Sequence, residues 1–315
     1  MTDRTLKVEH LTAILLPNTA TYWSEAAMPP RPSVTVRQQR LGAELRKLRE
    51  RAGLNSREAG QKLGIDPARI SNIESGRFGV SADRVRAFAH GYECRDEPYI
   101  DALAAMTAGR SRNWWDDYRD LLPLVLLDLS EMEEHAKALR TVQFTHLPGL
   151  LQTADYARLV FQQNVPSLPP PKIEHRLSHR IKRQGILYGD NPTQYGGIIH
   201  EAALRMRFGG PEVMRDQLAH ITQMSERENV TVLVLPFSAG IFPGAGQTVV
   251  IAHGPHPQLD TVQLDTEHGS EFLHAEAQLE KYRTIMGRME QLSLTAPESR
   301  DFIHGLIADL RKDPS

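Results

Sequence analysis

The sequence predicts a multidomain protein in which an all-α domain precedes an α+β domain. Apolar residues recur at helical spacings of three and four as far as about residue 90. Beyond about residue 140, short β-rich segments alternate with helical segments. A chain of 315 residues is long enough to form two hydrophobic cores. We therefore expect a flexible extension at 1–35, the all-α domain at 36–106, a junction at 107–113 and the α+β domain at 114–312.

Residues 54–77 have the pattern of two short helices joined by a tight turn. Asn55 and Glu58 have the spacing of a capping box at the start of the first helix. Gly64 is suited to the left-handed conformation that commonly ends a helix. Asp66, which is followed by a proline, is typical of the residue that caps a second helix. Two helices in this order predict a helix-turn-helix, which places its second helix in the DNA major groove.

The second helix of the pair, 67–75, has an apolar side and a polar side. At about 100° per residue, Ile70 and Ile73 mark the buried side, and Asn72 lies outward. The Asn72 amide is able to form two hydrogen bonds with an adenine. We expect base contacts from Ala68, Ser71, Asn72 and Ser75, and phosphate contacts from Ser56, Arg57, Arg69 and Arg77. The plainer interpretation is a helical hairpin whose polar face is merely solvated.

The charge distribution favours the DNA-binding interpretation. Residues 33–92 contain 12 Lys and Arg against 6 Asp and Glu, a net charge of +6. The rest of the chain contains 25 basic against 33 acidic residues, a net charge of −8. A basic module inside an acidic protein is the electrostatic pattern expected of a domain that binds nucleic acid.

Three segments of the all-α domain resemble a known family: Gly53-Leu54, the run Ala59 to Gly64, and Ile70-Ser71-Asn72-Ile73-Glu74-Ser75-Gly76. With them, residues 37–92 resemble the lambda-repressor-like helix-turn-helix domain of XRE-type regulators, relatives of the lambda and Cro repressors. The resemblance implies a structural ion pair between Arg49 and Glu74. Ser56 departs from the phosphate-binding glutamine of many relatives. Gly60 is a second departure, and it is expected to weaken its helix by about 1 kcal/mol relative to alanine.

The second domain is predicted from alternating strand and helix patterns. The helix around Leu126 and Met132 is expected to extend to Leu139. Strands are predicted at 141–145, 195–200, 230–236, 247–252 and 261–265. Helices are predicted at 152–163, 173–186, 211–226, 274–290 and 297–311. The strand at 230–236 is almost continuously apolar, which predicts a central strand buried on both faces.

Five segments of this domain carry a second resemblance: 148–158, 180–184, 201–205, 217–218 and 229–240. With them, residues 114–310 look like the uncharacterised C-terminal domain of antitoxin-like XRE-type regulators from filamentous actinomycetes. The resemblance implies a small companion protein as a partner. A candidate effector or partner surface is formed by Pro148, Leu150, Leu151, Gln152, Tyr156, Arg180, Arg183 and Glu201. One interpretation of the basic stripe is a site for an anionic ligand or for a partner's acidic face, and the other is a solvated face paired with local carboxylates; the stripe consists of His175, Arg176, His179, Arg180 and Arg183.

Several function classes are disfavoured by the sequence. The pair His200-Glu201 lacks the second histidine of a zinc-protease motif. The glycine-rich run 242–246 lacks the lysine of a phosphate-binding loop, so it is read as a hairpin or lid turn. Cys94 is the only cysteine, which excludes an internal disulfide and suits a reducing cytoplasm. No apolar run is long enough to span a membrane. We therefore expect no enzyme activity, no cofactor and no metal.

The function expected from these patterns is a sequence-specific transcriptional regulator, most simply a repressor. It would act in the cytoplasm on double-stranded DNA, as a homodimer, with helix 67–75 as the recognition helix. The C-terminal domain would dimerise and receive a small-molecule or small-protein signal. The alternative is an antitoxin-like protein that sequesters a small companion protein and autoregulates its operon.

Overall fold

The computed structural model describes residues 34–108, 112–244, 246–266 and 269–312. Almost all of the predicted extension, 1–35, lies outside the described residues, as does the centre of the predicted junction, 107–113. The described residues form an all-helical N-terminal part and a C-terminal part with a mixed six-stranded sheet. The predicted fold class is confirmed. None of the described helices is long and apolar enough to cross a membrane.

The N-terminal part contains five helices around one apolar core. They are α1 (Val36–Arg51), α2 (Ser56–Leu63), α3 (Pro67–Glu74), α4 (Ala82–Gly91) and α5 (Glu97–Ala105). Ile70 and Ile73, which the sequence predicts to face inward, are buried in this core with Leu45, Leu48, Ala59, Val85 and Phe88. Leu54, Leu63 and Ile65 are partly buried at its edge. Helix α5 contributes Tyr99, Ile100 and Leu103, so the core extends beyond the helices of the predicted helix-turn-helix.

The ends of α2 and α3 follow from local chemistry. The Asn55 side chain accepts hydrogen bonds from the backbone of α2, and Glu58 accepts one from the Asn55 N–H at 2.8 Å. Gly64 has a φ of 65°, the left-handed conformation that the sequence predicts. Asp66 accepts a bond from the Ala68 N–H at 2.7 Å, which caps α3. Packing requires a glycine at position 60, because an added Cβ would lie 2.6 Å from the Ile65 carbonyl oxygen.

The C-terminal part places helices on both faces of its sheet. Its strands are β1 (Ala138–Gln143), β2 (Gln194–His200), β3 (Val230–Leu235), β4 (Val249–His253), β5 (Thr261–Thr266) and β6 (Gly269–Leu273), in the order β3-β2-β1-β4-β5-β6. Strands β1, β2 and β3 are parallel, whereas β4, β5 and β6 pair antiparallel. Its helices are α6 (Leu124–Glu134), α7 (Ala154–Gln162), α8 (Pro170–Arg183), α9 (Glu201–Arg205), α10 (Pro211–Met224), α11 (Glu276–Leu292) and α12 (Ala296–Lys312). Helices α10 and α12 contribute to the core on one face, and α11 to the core on the other.

Three sequence predictions about this part were wrong. Strand β3 is an edge strand that pairs only with β2. Its sequence is apolar because helices α11 and α12 pack against it and bury Val232 and Val234. Thr231, in contrast, is exposed. Helix α6 ends at Glu134, and Leu139 lies in β1. Strand β6 was missed because none of its residues is fully buried, which removes the apolar alternation that marks a strand.

The two parts contact each other through the connection between β4 and β5. Leu259 belongs to the same apolar core as the five N-terminal helices and is 7% exposed. Arg40 of α1 donates a hydrogen bond to the Gln258 carbonyl oxygen at 2.6 Å. The His256 ring lies 5.2 Å from the Tyr99 ring, and its Nε2 lies 3.5 Å from Asp96. The helical part is therefore packed directly against the connection between β4 and β5.

Candidate nucleic-acid interface

Helix α3 presents one face to solvent and buries the other. Ile70 and Ile73 are 0% and 2% exposed and lie in the core. Ala68, Ser71 and Ser75 are exposed, and Asn72, the fourth predicted base-contacting residue, is half-buried. The four side chains that the sequence predicts to contact bases therefore lie on the side of α3 that faces away from the core.

The polar groups on this face are bonded to the helix itself. The Asn72 amide donates to the Ala68 carbonyl oxygen at 2.9 Å. The Ser71 hydroxyl donates to the Pro67 carbonyl oxygen at 3.2 Å, and the Ser75 hydroxyl to the Asn72 carbonyl oxygen at 3.1 Å. A base contact would exchange these local bonds for bonds to DNA. For Asn72, it means releasing the Ala68 carbonyl before an adenine is bound.

Three exposed arginines surround this face. Arg57 lies in the first turn of α2, Arg69 in α3, and Arg77 follows α3. None of the three forms an ion pair within the described part of the chain. By contrast, Arg86 on α4 lies 3.2 Å from Asp101. Ser56, the remaining predicted phosphate contact, is half-buried at the N-terminal end of α2, where backbone N–H groups favour an anion.

Arg49 and Glu74 join α1 to the end of α3. The Arg49 Nε lies 2.7 Å from Glu74 Oε1, and its Nη2 lies 2.9 Å from Oε2. Its Nη1 donates to the Leu54 carbonyl oxygen at 2.7 Å. Both side chains are buried, with 8% and 6% of their surface exposed. The structure thus contains the ion pair that the family resemblance implies, and this pair connects the end of α3 to α1.

Phe78 was not predicted from the sequence, although it lies beside this face. Its side chain is 52% exposed, and its N–H donates to the Asn72 carbonyl oxygen at 3.2 Å. The sequence signal was weak, because an aromatic residue in a glycine-containing loop is more commonly buried. An exposed ring next to Arg77 provides an apolar contact surface for a sugar or a thymine methyl group.

The candidate effector surface of the C-terminal part is mostly interior. Leu150, Leu151 and Tyr156 belong to the main core, with at most 6% exposure. Pro148 and Gln152 are also buried. As long as these side chains remain in the core, they form no exposed surface. The apolar motif around Pro148 therefore has a packing explanation that its sequence context did not reveal.

Hydrogen bonds from three glutamines hold this segment. Gln152 Nε2 donates to the Leu147 carbonyl oxygen at 2.7 Å, and Gln184 Nε2 donates to the Gln152 carbonyl oxygen at 2.7 Å. Gln217, which is fully buried, donates to the Leu151 carbonyl oxygen at 2.7 Å and accepts from the Thr153 N–H at 2.7 Å. Buried backbone groups need such partners, and the glutamines supply them.

The charged residues of the candidate surface differ in their partners. Arg183 forms a buried, two-bond ion pair with Glu133 at 2.6 and 2.8 Å. Glu201 accepts from Arg205 at 2.6 Å and from the Phe237 N–H at 2.7 Å. Both residues are therefore explained structurally. Arg180 is partly exposed and makes its one hydrogen bond within the described residues to Gln152.

The structure describes no group of three or more His, Cys, Asp or Glu residues that could hold a metal ion, within the ranges given above. Cys94 is a free, half-buried thiol.

Comparison with protein-family models gives two matches. Residues 40–103 match a family described as a helix-turn-helix domain, which supports a DNA-binding, regulatory role. Residues 126–305 match a family described as a domain of unknown function, DUF5753. Neither the curated proteins nor the solved structures include a match. Because the second match covers more than half of the 315 residues, the chain belongs to the DUF5753 family and carries a helix-turn-helix domain in front of it.

Proposed function

We propose that this protein is a sequence-specific transcriptional regulator of the XRE type, which represses by occupying its operator. The observation that carries the proposal is the outward face of α3, surrounded by three arginines that form no ion pair with any described residue. Small side chains on that face allow the helix backbone to approach base edges closely. The surrounding cations are placed to contact phosphates on either side of the groove.

The proposed roles of the residues follow from their chemistry. Asn72 reads an adenine with its amide, and Ser71 and Ser75 contact a base or a phosphate. Arg57, Arg69 and Arg77 bind phosphates and set the register, without reading sequence. Arg49 and Glu74 keep α3 in place but do not touch DNA.

The proposal extends to assembly and signalling. A homodimer would read two half-sites about 34 Å apart, one helical turn of DNA. The DUF5753 part would dimerise and receive the signal, in the cytoplasm, without enzyme activity. Support for a receiving role comes from the direct packing of the β4–β5 connection against α1 and α5.

The experiment starts with selection of tight-binding duplexes from a randomised DNA library by the full chain. Fluorescence anisotropy then measures the affinity of the wild type and of N72A for the selected duplex and for a scrambled one. We expect N72A to weaken specific binding by about 1–3 kcal/mol, or about 5- to 150-fold, while binding to scrambled DNA is unchanged. An equal loss on both duplexes would contradict the base-reading role.

A salt series separates the phosphate contacts. The wild-type affinity should fall steeply with salt, and R69Q should reduce the log–log slope by about 1 on both duplexes. The matched control is R86Q, which removes one arginine of the same domain that is already paired with Asp101. R86Q should leave the slope near the wild-type value. Failure of the selection to enrich any sequence would overturn the proposal of a sequence-specific regulator.

A further inference from the structure

Arg180 on α8 differs from Arg49 and Arg183, the two buried arginines that bind a glutamate with two hydrogen bonds. Arg49 and Arg183 each use the edge formed by Nε and Nη2 to bind both oxygens of a glutamate. The same edge of Arg180 has no acceptor among the described residues, and its Nε is buried. A charge held largely away from water is unfavourable without a counterion, and none of the described residues contacts Arg180 as one, so a bound anion would stabilise it.

The guanidinium of Arg180 is held in one position. Its Nη1 donates to Gln152 Oε1 at 2.5 Å, and its Cζ lies 4.5 Å from the centroid of the Phe161 ring. Gln152 is itself fixed by its bond to the Leu147 carbonyl oxygen. The contact with Phe161 adds a cation–π interaction. These contacts hold the guanidinium while leaving its Nε–Nη2 edge without a bond.

The surroundings of Arg180 are positively charged. Arg176 lies one helical turn before it, is partly exposed, and forms no ion pair with a described residue. Burial, and then the nearby charge of Arg183, lowers the pKa of Arg180 to about 9. Burial and the charge of Arg180 lower the pKa of His146.

The acidic residues near Arg180 are already bonded elsewhere. Asp265 accepts hydrogen bonds from Gln263 at 3.2 Å and from Ser270 at 3.0 Å, and it forms no ion pair with Arg180. Glu133 binds Arg183 with both oxygens. Neither carboxylate therefore neutralises the Arg180 charge by direct contact.

We propose that Arg180, with Arg176 beside it, binds the oxyanion of a small-molecule ligand, either a carboxylate or a phosphate group. The planar Nε–Nη2 edge matches the two oxygens of either group, as it does in the Glu74 and Glu133 pairs. Binding of the anion does not depend on the proposed DNA binding; only its use as a regulatory signal rests on that function.

The test uses the purified full chain without DNA. Thermal unfolding is followed over concentration series of inorganic phosphate and of malonate, up to about 50 mM, with ionic strength held constant by sodium chloride. We expect a saturable rise in melting temperature with one or both probes. The arm that responds at the lower concentration identifies the class of oxyanion. No response to either probe would overturn the proposal.

Variants locate the site. R180Q should abolish the rise, and R180K should raise the half-saturating concentration by about tenfold or more, since lysine lacks the two-donor edge. R176Q, which changes a partly exposed side chain, should weaken the response even if R180Q fails to fold. The matched control is R158Q, which removes an arginine bonded to Glu174 on the neighbouring helix. A wild-type response in R180K and R176Q would overturn the assignment.

A second control excludes the DNA-binding face. The double variant R69Q/R77Q lacks two cations that would attract phosphate on that face, and its response should equal that of the wild type. Loss of the response in this variant would place the anion on the helix-turn-helix and contradict the proposal. Because no DNA is present, failure of the DNA-binding proposal leaves this result unchanged, and the converse also holds.

Discussion

The ion pair between Arg49 and Glu74 provides a quantitative test of how the recognition helix is held. The perturbation is Glu74→Gln or Arg49→Met in the full chain. Each variant removes one partner of a pair whose two hydrogen bonds measure 2.7 and 2.9 Å and whose side chains are 8% and 6% exposed. The remaining partner is then a buried group that has lost its counterion. Breaking a pair of this kind costs about 3–5 kcal/mol of unfolding free energy.

Helix α1 offers a matched control. Arg46 and Glu50 form an ion pair with the same 2.7 Å distance, but their side chains are 63% and 52% exposed. Water competes for both groups, so E50Q is expected to cost much less stability than E74Q, although Glu50 Oε1 also lies 3.8 Å from Arg49 Nη2. The two pairs differ in burial and in the number of hydrogen bonds. The difference between the losses of unfolding free energy in E74Q and E50Q therefore measures the combined contribution of burial and of the second hydrogen bond.

The assay is urea unfolding followed by far-UV circular dichroism, analysed as a double-mutant cycle. R49M, E74Q and R49M/E74Q are compared with the wild type. The double variant should lose less stability than the sum of the two single changes, because neither charge is left unpaired. The reasoning would be refuted by a cost for E74Q no greater than that for E50Q, or by strict additivity in the cycle.

Three further predictions follow from single residues. Burial lowers the pKa of His179 to about 3, from 6.5; the unfolded chain therefore binds an extra proton between these values. The free energy of unfolding should then fall by up to about 1.4 kcal/mol per pH unit as the pH drops below about 6.5. H179Q should remove this pH dependence in urea titrations at several pH values, and H304Q, at an exposed histidine, is the control. An alanine at Gly42 would bring its Cβ into collision with the backbone at the end of α3, so G42A should destabilise by about 1–3 kcal/mol, whereas G287A, which meets nothing within 4 Å, should be neutral or stabilising in the same assay. Leu259→Ala should cost about 2–5 kcal/mol, because it opens a cavity in the helical core; a negligible change in the urea midpoint would show that the two parts do not share that core.

Local rules predicted the helical part well. Caps at Asn55 and Asp66, and the left-handed residue Gly64, depend on neighbours within four positions, so the sequence contains all the required information. The buried sides of α1 and α3 follow from helical periodicity alone. Gly60 was different, since its requirement arises from the close approach of the Ile65 carbonyl, which only the folded turn reveals.

The sheet and the second candidate site depended on long-range packing. An apolar run such as β3 indicates that both faces are covered, but not whether a second strand lies beside it. Leu150, Leu151 and Tyr156 were assigned to a surface because their turn motif is apolar, yet they fill the core. The status of Arg180 depends on which carboxylates lie near it and what they already bind. Its helix alone does not distinguish it from Arg183, which has a partner.

Helix α1 contacts both the β4–β5 connection of the C-terminal part and helix α3 of the N-terminal part. At one end of the helix, Arg40 holds the Gln258 carbonyl, and the adjoining Asp260 is fixed by Arg283 at 2.9 Å. Towards the other end, Arg49 holds Glu74 of α3. A displacement of the β4–β5 connection therefore has to strain or break the Arg40 contact, or move α1 and with it the recognition helix. Continuity of contacts establishes which groups must move together, whereas regulation also requires two arrangements of nearly equal free energy. If the proposed function holds, transmission of a signal from the sheet to DNA requires two such positions of α1, and the Arg49–Glu74 pair would then carry α3 along with α1.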